Sequence, residues 1–169
     1  MSHYIRILNK VKLNIGKLSL TPEQISCQGR IEERLVYPGV VNLFGLHGVG
    51  KTVLGWALND MGKVVYVVHP TKLNEIAPSQ NITFFLDNVN SDRASFRYVM
   101  GRLESLQVDR AVLVTHHPAN DYVFHTEMKL NSNDVEIVRE NLRLLGYSSK
   151  ESDWKNLWHG VIQIARKVK

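Results

Sequence analysis

Gly45-Leu46-His47-Gly48-Val49-Gly50-Lys51-Thr52 matches G-x-x-x-x-G-K-[ST], the spacing of a phosphate-binding loop. Each residue type has a reason to be there. Glycines let the backbone turn tightly and bring its N–H groups up to an anion without a Cβ in the way. The helix that follows adds the partial positive charge of its N-terminus. Lys51 is placed to reach the β- and γ-phosphates as a point charge, and the Thr52 hydroxyl to ligate Mg²⁺. The expected nucleotide-binding set is Gly45, Leu46, His47, Gly48, Val49, Gly50, Lys51, Thr52 and Val53. Such a site takes a second metal contact from a carboxylate at the end of an apolar strand, and Asp87, after Phe84-Phe85-Leu86, fits. Asp109 precedes its strand and so belongs at the wrong end of the sheet, and Asp60 closes the loop helix.

These residues need a strand, a loop and a helix in that order. Val40-Val41-Asn42-Leu43-Phe44 supplies the strand, and the helix runs to about Met61 with Gly62 as its stop. Val64 to Val68 reads as a strand buried on both faces, ended by His69-Pro70, with Thr71 capping a short helical turn. Ile82 to Asp87 is the next strand. Ser91 or Asp92 then opens a helix with Phe96, Val99, Met100, Leu103 and Leu106 on one face. Ala111-Val112-Leu113-Val114 is a fourth strand. The alternation predicts an α/β fold: a doubly wound, mostly parallel sheet with ligands at the carboxyl ends of its strands.

The flanks are harder to read. Val11, Leu13 and Ile15 alternate as in a half-buried strand, Thr21-Pro22-Glu23-Gln24 opens a helix, and Gly29 argues against that helix being long. Residues 119 to 133 lack a clear period and read as a mobile loop, with a short hairpin as the alternative. Asn133-Asp134-Val135-Glu136 is the expected capping box of a helix stopping at Gly146. Trp154 and Trp158 read as core anchors, and Val161 to Ala165 as a last strand. The whole is expected to be one domain, residues 1–169, with 1–36 an appended N-terminal segment and 37–169 the core.

Apolar content of 44% and charged content of 22% are ordinary for a soluble globular chain. A net charge of +5 permits contact with a polyanion without requiring it. One cysteine, Cys27, excludes an internal disulfide and a four-cysteine zinc site and reads as a core residue. No apolar run approaches the ~20 residues that span a bilayer. The expectation is a cytoplasmic protein without a membrane partner.

The order of parts resembles the RecA/RadA recombinase superfamily of ATPases. Tyr37 to Gly45 is similar to that family's lead-in to its phosphate loop, Phe84 to Val89 to its acidic strand, and Val112 to Asn120 to its sensor strand. The similarity covers roughly Tyr37 to Asp134. It implies a RecA-like P-loop core binding ATP and Mg²⁺, with Thr115 and His116 sensing the γ-phosphate. It also implies a DNA-contacting loop at 119–133, with Tyr122, Phe124 and Lys129 facing single-stranded DNA. The family's catalytic Glu after the second strand is missing, since Val68-His69-Pro70 stands there. Substitutes are Glu75, a few positions on, and His69 orienting a water; with Lys51 these are the catalytic candidates. Hydrolysis is therefore expected to be slow or absent. The short chain looks like a minimal paralogue assisting a full-length recombinase in DNA recombination or repair. Two alternatives stay open: a nucleotide-binding interaction module without turnover, and a small-molecule or nucleotide kinase. The kinase lacks its usual acidic residue after the second strand and its arginine-rich lid.

Overall fold

Short runs of β-branched and aromatic residues assemble into a five-stranded sheet of order β2-β3-β4-β1-β5. The strands are β1 (Gly39–Phe44), β2 (Val65–Val67), β3 (Thr83–Leu86), β4 (Arg110–Thr115) and β5 (Phe124–Glu127). Every pairing is parallel. The helices are α1 (His3–Leu13), α2 (Pro22–Arg34), α3 (Lys51–Asp60), α4 (Arg93–Ser105), α5 (Ser132–Leu144) and α6 (Leu157–Lys167). The computed structural model describes residues 3–78, 81–119, 123–148, 154 and 156–167. This is the α/β architecture that the alternation of elements predicts.

The two-residue period of the strands divides the core. Phe85, Val112 and Val114 face α2 and α3, meeting Cys27, Ile31, Leu54 and Leu58. Phe84, Leu86, Ala111 and Leu113 face α4, meeting Phe96, Val99, Leu103 and Leu106. A third cluster joins α1, α5 and α6 through Ile7, Val11, Val135, Leu142, Leu157, Val161 and Ile164. Asp92 caps α4, accepting from the amides of Ala94 and Ser95.

Several local expectations need correction. Val11, Leu13 and Ile15 do not form a strand: Ile7 and Val11, four apart, are buried on α1, while Leu13 is exposed. Gly29 does not stop α2, which runs through it behind a full Thr21–Gln24 capping box. β2 is an edge strand of three residues with Val65 exposed, so it is not covered on both faces. The turn after it is a 3-10 helix, Pro70–Glu75, capped by His69 rather than Thr71. The stretch 119–133 is not a free loop, because β5 lies within it and pairs with β1. The capping box of α5 is Asn131 with Asp134, two residues before the expected start. Val161 to Ala165 lies in α6, since Leu157, Val161 and Ile164 have helical spacing and pack on α1. Trp154 is a core residue as expected; the side chain of Trp158 lies outside the described residues.

Candidate nucleotide-binding site

The loop Gly45 to Gly50 joins the carboxyl end of β1 to the first turn of α3. Gly50 has φ +102°, a conformation that a Cβ would strain, and that Cβ would meet Gln24 Nε2 at 2.8 Å. The same Gln24 caps α2, its Oε1 accepting from the Thr21 amide at 2.9 Å. Its Nε2 donates to the Gly50 carbonyl at 3.0 Å. From the other side the Leu157 amide donates to the Gly48 carbonyl at 2.9 Å. The loop is thus braced by one residue from the N-terminal segment and one from α6.

Lys51 is buried beneath the loop. Its Nζ donates to the Gly45 carbonyl and, at 2.9 Å, to that of Leu46. Burial pulls its ammonium down to about 8, opposed by the charge of Asp87, so it remains a cation at neutral pH. Asp87 follows β3 directly. Its Oδ2 accepts from Thr52 Oγ1 at 2.7 Å and from the Tyr66 hydroxyl at 2.6 Å, and its Oδ1 from the Asn88 amide at 2.9 Å. The phenol of Tyr66 is held protonated by burial and by the charge of Asp87. Thr52 and Asp87 therefore come together as an oxygen-only donor pair, one hydroxyl and one carboxylate. That is the chemistry Mg²⁺ selects, so the residues fit such an ion.

β4 brings the two expected sensor residues to the same edge, with unequal freedom. Thr115 is committed internally: its hydroxyl donates to the His117 carbonyl at 2.6 Å and accepts from Asn42 Nδ2 at 2.8 Å. His116 lies against the loop, its ring centroid 3.4 Å from that of His47. Burial, then the neighbouring His47, Lys51 and His117, depresses its pKa against a hydrogen bond to the Gly45 backbone. Asn42 is fully buried in β1. Besides Thr115 it donates to the Leu113 carbonyl at 3.0 Å, while its Oδ1 accepts from the Ala119 amide at 2.9 Å and faces His125 Nδ1 at 3.1 Å.

A cavity of about 600 Å³ opens over the loop. Its polar lining comes from the loop, Asp87, Asn88, Thr115 and His116; the larger apolar part has Val11, Ile15, Leu18, Val138, Leu142 and Val161 among its walls. The structure does not bring the remaining candidates here. Glu75 is exposed and paired with Lys72 at 2.7 Å, and His69 caps its 3-10 turn; neither lines the cavity. Lys129 pairs with Glu127 at 2.9 Å, Phe124 lies half exposed beneath Arg34, and Tyr122 lies outside the described residues. Asp109 sits before β4, paired with Arg110, as its place in the sequence indicates. Among the described residues no group of three or more His, Cys, Asp or Glu could hold a metal. Sequence reasoning missed Gln24, Asn42 and Tyr66. The signal was present for two of them: an amide and a phenol inside otherwise apolar strands, each of which must find a partner when buried.

No protein-family model matches the sequence, and no curated protein does. Among solved structures the fold is similar to that of a DNA replication initiation factor, at 15% identity and a TM-score of 0.58. That match covers 90% of this chain and 63% of the other. A second similar structure is AMPPCP-bound DnaA from Aquifex aeolicus, at 13% identity and a TM-score of 0.48, covering 92% of this chain and 60% of the other. The chain therefore spans less than two thirds of the length of either. The first match corrects the resemblance to the RecA/RadA superfamily: the solved structure whose fold this chain shares at that score is a replication initiation factor. The stretches that suggested a recombinase are an apolar strand entering the loop, a strand ending in Asp87 and a strand ending in Thr115. They describe the shared P-loop sheet rather than one lineage within it.

Proposed function

We propose that the protein is a P-loop nucleotide-binding protein of DNA metabolism that takes ATP with Mg²⁺ and turns it over slowly or not at all. One observation carries the reading: the buried Lys51 ammonium and the Thr52–Asp87 pair converge on the floor of one cavity at the start of α3. In this reading the triphosphate takes Lys51 from the loop carbonyls, and Thr52 and Asp87 hold the cation. When bound, the cation neutralises charge on the phosphate oxygens. The apolar part of the cavity receives the base. Asp87 is the one acidic side chain among the described residues lining the cavity, which leaves no second carboxylate to activate a water. That favours, as the second reading, a module that signals nucleotide state to a protein partner. The fold similarity to a replication initiation factor and the net charge of +5 support DNA metabolism as the setting. Single-stranded DNA belongs to this proposal, with Phe124 and Lys129 on the β5 edge as its contacts.

Titration calorimetry with ATP and Mg²⁺ tests the binding. Saturable binding is expected in the wild-type protein, with a loss of about ten- to a hundredfold in Lys51→Ala at unchanged fold, the worth of a charge-assisted contact to phosphate. Equal affinity in the two proteins would remove the basis of the proposal. Phosphate release, measured with and without single-stranded DNA, separates slow turnover from none.

A further inference from the structure

Asp87 has more partners than a metal-holding carboxylate needs. A carboxylate offers about four lone-pair sites. Thr52 Oγ1 and the Tyr66 hydroxyl fill those of Oδ2, and the Asn88 amide takes one on Oδ1. One acceptor direction on Oδ1 is left. Thr52, donating its hydroxyl hydrogen bond to Asp87, keeps its oxygen lone pairs for another partner. We propose that Tyr66 is a positioning residue for the cation: its hydroxyl locks the Asp87 carboxylate so that one oxygen lone pair faces the metal beside Thr52. This rests on the Mg²⁺-nucleotide reading above.

The placement of Tyr66 is built by several elements. β2 pairs it with Phe85, whose ring it stacks on at 6.1 Å between centroids and 25° between planes. Trp56 of α3 meets it edge-on at 6.4 Å, and Asn59 Oδ1 accepts from its backbone amide at 3.0 Å. Gly55 of α3 keeps the space clear, since a Cβ there would lie 2.9 Å from Tyr66 Cδ2. Lys12 of α1 holds its ammonium 6.0 Å from the ring centroid. A phenol that merely needed a buried acceptor would contribute to stability alone. A phenol sharing Oδ2 with Thr52 also sets where the carboxylate points.

The test is Tyr66→Phe, which removes one oxygen and keeps the ring stack, with its fold checked by melting. ATP affinity is measured by calorimetry over a range of Mg²⁺ concentrations and in EDTA. We expect the Mg²⁺ midpoint to rise about ten- to a hundredfold, the scale of one hydrogen bond to a charged group, with affinity in EDTA unchanged. In an Asp87→Asn background the same substitution should add nothing further to the Mg²⁺ dependence. An unmoved midpoint, or an equal loss with and without Mg²⁺, would overturn the inference. If the wild type itself binds no ATP, the nucleotide reading has failed. If the wild type binds and Lys51→Ala does not, an unmoved midpoint counts against Tyr66 alone.

Discussion

Gly55 and Gly29 both lie inside helices, and the same substitution should act on them with opposite sign. In α3 a Cβ on Gly55 would lie 2.5 and 2.7 Å from Cε1 and Cδ1 of Phe85, and 2.9 Å from Cδ2 of Tyr66. Carbon atoms in contact settle at roughly 3.5–4.0 Å, so both rings would have to retreat by about 1 Å. Phe85 is fully buried between the sheet and α3 and has nowhere to go. Alanine gains about 1 kcal/mol over glycine in a helix interior, while overpacking a filled core costs about 1–3 kcal/mol. With two rings struck the upper end applies, and Gly55→Ala should lose about 2 kcal/mol net, or roughly 4–8 °C of melting temperature in a domain of this size. In α2 a Cβ on Gly29 would meet nothing within 4 Å. Gly29→Ala should therefore stabilise by about 0.4–1 kcal/mol. Urea denaturation of both variants, read as midpoint shifts at constant slope, makes the comparison. If Gly55→Ala proves as stable as the wild type, the close packing of α3 on Phe85 and Tyr66 described above is wrong.

Two further outcomes follow from the site. Asp87→Asn keeps the shape of the carboxylate and removes its charge, so ATP affinity in EDTA should survive while the Mg²⁺ midpoint rises by about tenfold or more; calorimetry reads both. His116 has a folded pKa depressed below 6.5, so the unfolded chain binds its proton first as pH falls. Its stabilising contribution is present above pH 6.5 and is lost as pH drops through the lower folded value. Denaturation at pH 7.5 and 5.5 should show a smaller acid loss in His116→Asn than in the wild type, and an unchanged difference would count against the burial of that imidazole.

The legible parts of this chain were those where local chemistry and tertiary position ask for the same residues. The loop from Gly45 to Thr52 is specified by backbone demands, β3 and β4 are continuous apolar runs in the middle of the sheet, and Asp92 caps α4 as its neighbours indicate. Asp87 could be picked out because a carboxylate closing a buried strand is unusual without a partner. The edges were not legible. Phe124-His125-Thr126-Glu127 is too polar and too short to announce a strand, and only the free side of β1 makes it one. Val161-Ile162-Gln163-Ile164 is rich in β-branched residues, and packing against Ile7 and Val11 of α1 overrides that preference. For Tyr66 the phenol inside Val64 to Val68 signals that a partner is needed, but which one is settled only by the fold, which brings Asp87, twenty-one positions on, to its hydroxyl.

The amide of Asn42 fastens the end of β4, the start of the next segment at Ala119 and His125 on β5 to a single point inside β1. The outermost strand on that side is therefore riveted through its neighbour to the residue just before His116. Prising β5 away would strip the rivet of its grip on His125 and leave a buried polar group short of a partner. Whatever leans on that margin of the sheet pulls, through one side chain, on the rim where a terminal phosphate would rest.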